Sequence, residues 1–198
     1  MKACSDEGVG GSLSILSCVF SQGLAMALIS SIFDIRALYH FTDPRNLSLI
    51  QREGALLSLR ELERRRIEPP APGGNQWSRD ADARSGMDAF VHLCFRRNHP
   101  MEIRAREDGR IVKTIFLEIS PAVLRLDGVR FTLEVANKSG VASHPVGQVD
   151  HMIDFEVLYS RTDWRDPVVK QRLLAAEKYE ILVPDLIPLS LIRNLHNG

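Results

Sequence analysis

Short strand patterns recur along this chain without alternating strictly with helices, and that irregular order constrains its fold more than any other feature. Ile35–Phe41 ("IRALYHF"), Ala89–Phe95 ("AFVHLCF"), Arg110–Ser120 ("RIVKTIFLEIS") and the "EILV" run at 180–183 have the length and composition of strands. Between them, "TDPRNLSLIQREG" predicts a helix capped by Thr42 or Asp43, with Pro44 at its first position and Gly54 closing it. "SLRELERRRI" predicts a second short helix, and "DPVVKQRLLAAEKY" another entered through Pro167. "EPPAPGGNQWSRDADARSGMD" reads as a long polar connection, functional or mobile, and "MIDFEVLYS" as a strand or mixed segment. A doubly wound parallel sheet needs regular βαβα order, so the pattern predicts an α+β domain.

The formal charge is zero, so no overall basic character points to nucleic acid. Arginines bunch at Arg60 with Arg64–Arg66, at Arg96–Arg110 and at Arg161–Arg172, each interleaved with acids as on solvated helix faces. The three cysteines, Cys4, Cys18 and Cys94, have no CxxC spacing. They support neither a zinc site nor a disulfide framework, and a reducing, cytoplasmic setting is expected. Phosphate-loop, dinucleotide-fingerprint, HExxH and EF-hand patterns are missing. Gly8–Phe33 carries no charge and is nearly long enough to span a bilayer, yet Ser, Gly and Gln interrupt it and its leader mixes both signs. Residues 1–34 are therefore read as an extension with Met26 as the natural start, 35–198 as the working domain, and no stable membrane association is expected.

In "LLAAEKYEILVPDLI" a helix runs into a strand that carries a carboxylate. Glu180 shares a face with Leu182, while Tyr179, Ile181 and Val183 share the other. Such a glutamate is either a solvated guard on a strand edge or a group held for chemistry. Glu177 is a rival carboxylate, placed by helical spacing on the exposed end of the helix. His40, Asn46 and Asn137, each taken alone, read as core, surface or turn residues. The residues by themselves lead no further than an α+β domain with one unexplained strand glutamate.

Four segments in order carry a resemblance. "LYHFTDPRNLSLIQREGALLS" resembles the opening of the DarT family of nucleic-acid ADP-ribosyltransferase toxins, with its Tyr-His strand end, polar turn, Asn-Leu helix start and Gly-x-Leu-Leu segment. "FVHLCFRRNHPM" is similar to the family strand closing on Pro-Met, here Pro100 and Met101, and "GVRFTLEVAN" to its Phe-Thr element. "IDFEVLYSRTDWRDPVVKQRLLAAEKYEILV" resembles the block that ends in a Glu-led strand. The central strand departs from the family's Tyr-Val-Pro-Phe, reading Phe90-Val91-His92-Leu93, and the chain stops soon after Pro188.

The resemblance implies an ADP-ribosyltransferase-like fold, a split, twisted β core with flanking helices and NAD, as substrate, in the cleft. It implies Glu180 as the catalytic glutamate and Arg79 as the site arginine, with Arg84 as the other register. His40, Phe41 and Thr42 would lie along NAD, His40 at its ribose or nicotinamide end. Asn46 and the Leu56–Arg60 segment, with Leu57 and Ser58, would continue that wall. No metal is implied. The expected partners are single-stranded DNA or RNA and a macrodomain-type antitoxin. Glu180 is then expected to point into a cleft facing His40 and Arg79, with Glu177 outside. Transfer to RNA, protein or a small molecule, and a non-catalytic binding module, are the competing expectations.

Overall fold

The computed structural model describes residues 35–145 and 152–195, so the readings of the 1–34 extension and of Met26 lie outside the described residues. The strands, in chain order, are Leu38–Thr42 (β1), Ala55–Leu57 (β2), Phe90–Cys94 (β3), Ile115–Ile119 (β4), Arg130–Thr132 (β5), Ser143–Pro145 (β6), Glu180–Pro184 (β7) and Leu186–Pro188 (β8). A six-stranded sheet runs β4-β1-β3-β7-β5-β6, and β2 pairs with β8 in a separate ladder. The pairings are antiparallel, as an α+β domain requires.

The helices are Leu47–Glu53 (α1), Leu59–Arg64 (α2), Gln76–Ser85 (α3), Pro100–Glu107 (α4), Phe155–Tyr159 (α5) and Pro167–Ala176 (α6). Asp43 caps a short 3-10 turn through Pro44–Asn46 that runs into α1, and Gly54 ends α1 in the left-handed conformation at φ 68°. Two expectations need correction. The long polar connection contains α3, which has no apolar stripe; Asn75 caps it by accepting from the Ser78 N–H, and Gly86 closes it at φ 74°. "MIDFEVLYS" is helical: Asp154 accepts from the Val157 N–H, and Phe155, Val157 and Leu158 bury their side chains. Its β-branched and aromatic composition mimics a strand, and packing overrides that propensity.

Strand alternation divides the interior. Val91, Leu93, Phe131, Ile181 and Val183 belong to the main core, where Phe155, Val157 and Leu158 of α5 meet them. Each such side chain contributes about 1.5–3 kcal/mol by leaving water. On the other face Leu182 packs with Met87 and Ala136 against Phe90. That second cluster is small, and Glu180, His92 and Cys94 share its face.

The sheet is split between β1 and β3. β1 pairs with β4 from Leu38↔Ile119 to Thr42↔Ile115, and β3 with β7 from Phe90↔Pro184 to Cys94↔Glu180. Between β1 and β3 the register holds a single pair, Tyr39↔Cys94. Beyond it a side chain replaces the ladder: His40 Nδ1–H donates to the His92 carbonyl at 3.0 Å. The Cys94 thiol donates to the Tyr39 carbonyl at 3.2 Å and closes the joint below.

Candidate active site

Glu180 opens β7, which is flanked by β3 and β5, so the strand-edge reading does not hold. It is 4% exposed. Cys94 lies opposite it on one side and Thr132 on the other. Two histidines bracket the carboxylate. His92, two residues along β3 on the same face, places Nδ1 2.8 Å from Oε2, and its Nε2 lies 3.1 Å from the Met87 carbonyl. Both ring nitrogens thus face acceptors, which only the doubly protonated imidazolium satisfies. Burial opposes that charge, but the hydrogen bond and charge of Glu180 outweigh it and push the His92 pKa up to about 9.

The second histidine, His99, is buried at the N-terminus of α4. Its Nδ1 accepts from the Met101 N–H at 3.3 Å, which leaves the proton on Nε2, 3.4 Å from Glu180 Oε1. Burial holds its pKa below the usual imidazole range. Phe41 stacks on both His99 and His40, with ring centroids 6.3 and 6.1 Å away. Cys94, next to the site, stays a thiol, since burial and the Glu180 charge push it up to about 12.

The eight residues expected in the site, His40, Phe41, Thr42, Asn46, Leu57, Ser58, Arg79 and Glu180, line one cavity. Burial drops the His40 pKa to about 4, so the ring is neutral at pH 7. Because its Nδ1–H is given to the His92 carbonyl, Nε2 is left as an acceptor. Asn46 is a brace: its amide donates to Thr42 Oγ1 at 3.0 Å and the Ala71 carbonyl at 2.7 Å, and accepts from the Ala71 N–H at 3.0 Å. The Pro/Gly segment is thereby tied to the end of β1. Ser58 caps α2 by accepting from the Glu61 N–H at 3.2 Å. Its hydroxyl therefore shapes the wall from beneath.

Arg79, on α3, is half-buried and its guanidinium has no hydrogen-bond or ion-pair partner among the described residues. The clustered arginines mostly are paired: Arg64 with Glu61, Arg106 with Glu102, and Arg172 with Asp154 and Glu156. An unpaired arginine on a cavity wall is suited to an anionic ligand. Arg84 is exposed and Glu177 half-buried, and neither lines the cavity. Arg60 lies outside the lining too, where it grips Asp88 through bonds of 3.0 and 2.7 Å and fixes α2 to the turn before β3.

Sequence reasoning overlooked His92, His99 and Asp82 as site residues and left Asn137 with a turn reading. His92 had a signal, since it interrupts an apolar strand as Glu180 does. Asn137, which lines the cavity and donates to Ser78 Oγ at 3.2 Å, had none. Among the described residues no cluster of three or more His, Cys, Asp or Glu side chains could hold a metal ion, and no helix is long and apolar enough to cross a membrane.

A family model described as ssDNA thymidine ADP-ribosyltransferase, DarT, matches residues 39–196. Among solved structures, Thermus sp. 2.9 DarT in complex with ADP-ribosylated ssDNA superposes with a TM-score of 0.61 at 19% identity, covering 80% of this chain and 79% of that one. The same protein in complex with NAD+ gives 0.54 at 22% identity, with 80% of each chain covered. Thermosipho africanus DarTG in complex with ADP-ribose gives 0.59 at 18% identity over 79% of this chain and 42% of that one. At these identities the likeness establishes the fold. A search of curated protein sequences found no match.

Proposed function

The chain belongs to the DarT family of ssDNA thymidine ADP-ribosyltransferases, and from that premise we propose how its cavity carries the reaction. The protein is an NAD-dependent transferase that moves ADP-ribose onto single-stranded DNA. Residues 35–198 form the catalytic unit. The observation that carries the assignment of roles is the buried Glu180, held by His92 in a cavity it shares with His40 and Arg79.

Cleavage of the nicotinamide–ribose bond sends the bonding pair to nicotinamide and leaves oxocarbenium character at the ribose carbon. A fixed negative charge beside that carbon lowers the barrier. Glu180 Oε2 is engaged by His92, so Oε1 is the oxygen that meets the ribose hydroxyl. Neutral His40 accepts from a ribose hydroxyl through Nε2, and Arg79 grips the pyrophosphate through paired charge-assisted bonds. Phe41, Thr42, Leu57 and Ser58 form the wall along NAD, and Asn46 holds that wall in place rather than bonding the ligand. The acceptor is a nitrogen of an unstacked thymine base.

The same proposal includes a cytoplasmic toxin role restrained by a macrodomain-type antitoxin, supported by family membership. Incubation of the protein with labelled NAD and single-stranded oligonucleotides tests the activity. Label is expected on thymidine-containing DNA and not on the same oligonucleotide lacking thymidine, with RNA as the competing acceptor. NAD binding without any transfer would contradict it.

A further inference from the structure

We propose that Asp82 is the base that takes the proton from the attacking thymine, leaving Glu180 to the ribose. This rests on the DarT reading of the cavity. A thymidine base carries its only N–H at N3, and that proton must leave as N3 bonds to the ribose carbon. The electron pair of the N3–H bond stays on N3, the pair of the nicotinamide–ribose bond leaves with nicotinamide, and the proton passes to the Asp82 carboxylate. It is released to water when the products depart.

Glu180 is poorly placed for this second task. One oxygen is held by the His92 imidazolium at 2.8 Å, and the other, 3.4 Å from His99 Nε2, is the one assigned above to the ribose hydroxyl. Asp82 lines the same cavity, one helical turn after Ser78 and Arg79 on α3. Its Oδ1 is buried and has no hydrogen-bond partner among the described residues. Buried polar atoms without partners are rare, and here the atom belongs to a group on a ligand cavity. The charged groups that act on it are His92 from β3, Glu180 from β7 and Asp88 from the turn before β3, and Arg79 lines the same cavity from its own helix. Burial, reinforced by Glu180 and Asp88 and opposed by His92, raises its pKa to about 6. Two carboxylates in one site, one held by a histidine and the other with an unpartnered oxygen, can divide roles between them.

The test is the pH profile of transfer to a thymidine-containing single strand by wild type, D82N and D82E. Wild-type transfer is expected to rise with pH through about 6 as Asp82 loses its proton. D82N is expected to lose about 10²–10⁴-fold in transfer and to lose that acid limb. DNA-independent NAD hydrolysis should fall far less than transfer, because attacking water can pass its proton to solvent. D82E should retain part of the rate with a displaced limb. Transfer by D82N within about threefold of wild type, with the acid limb intact, overturns the proposal. Should D82N fail to fold, an undisplaced limb in D82E does the same. A wild-type protein that hydrolyses NAD but labels no DNA overturns the DarT reading of the cavity together with it, whereas labelling by both wild type and D82N removes only Asp82.

Discussion

His92 determines whether a carboxylate can sit in the middle of this sheet. Its folded pKa of about 9 lies above the ordinary 6.5, so its pairing with Glu180 stabilises the fold fully below pH 6.5 and is lost as pH rises through about 9. His92→Gln is expected to cost about 1–3 kcal/mol near neutral pH, because a neutral amide replaces the charged donor to a buried carboxylate. The variant should also lose the decline in stability between pH 6.5 and about 9. Urea unfolding across that range measures both effects, and parallel profiles for the two proteins would contradict the pairing. Arg79 has a different expected signature. With no partner among the described residues to release, Arg79→Ala should leave stability nearly unchanged while weakening NAD binding about tenfold or more, since a charge-assisted anion contact is lost. Calorimetric titration with NAD checks it. Glu180 was legible because a carboxylate in an apolar strand stands out against alternation. His92 carried the same signal in "AFVHLCF", but alternation along one strand does not say which strand lies beside it.

Among the elements, the Asn46 brace shows how a local turn governs a remote loop. Asn46→Ala removes three hydrogen bonds, to Thr42 and to both backbone groups of Ala71. The expected cost is about 1–3 kcal/mol or more in unfolding free energy. NAD affinity should fall as well, because the Pro/Gly segment is freed from the end of β1. Unfolding and NAD titration of the variant, measured side by side, test this; a loss of stability with unchanged affinity would leave the brace structural only. Elements with strong punctuation were readable: α1 between Asp43 and Gly54, and α6 behind Asp166 and Pro167. Those whose signal lay elsewhere were not. α3 rests on Asn75 and Gly86 instead of an apolar stripe, and α5 hides helical burial behind strand-forming residue types. The β2–β8 ladder joins Ala55–Leu57 to Leu186–Pro188, and no local pattern encodes a pairing of that separation.

Across the whole molecule, the irregular element order was enough for the α+β class, and ordered motifs were enough for the family. The split itself was not legible from alternation, because it depends on a side chain: His40 bonds the His92 carbonyl where β1 and β3 would otherwise continue their ladder. That replacement opens the sheet beside Glu180 and gives His40 and Glu180 one shared cavity. The central claim is that this cavity performs the transfer and that Glu180 is its indispensable group. The most direct measurement is the rate of ADP-ribose transfer from labelled NAD to a single-stranded oligonucleotide bearing one thymidine, for wild type and Glu180→Gln, with NAD affinity measured on both. Wild type should label the strand, while the variant should bind NAD comparably and transfer at least about 10²–10³-fold more slowly. A variant that transfers at the wild-type rate would contradict the account.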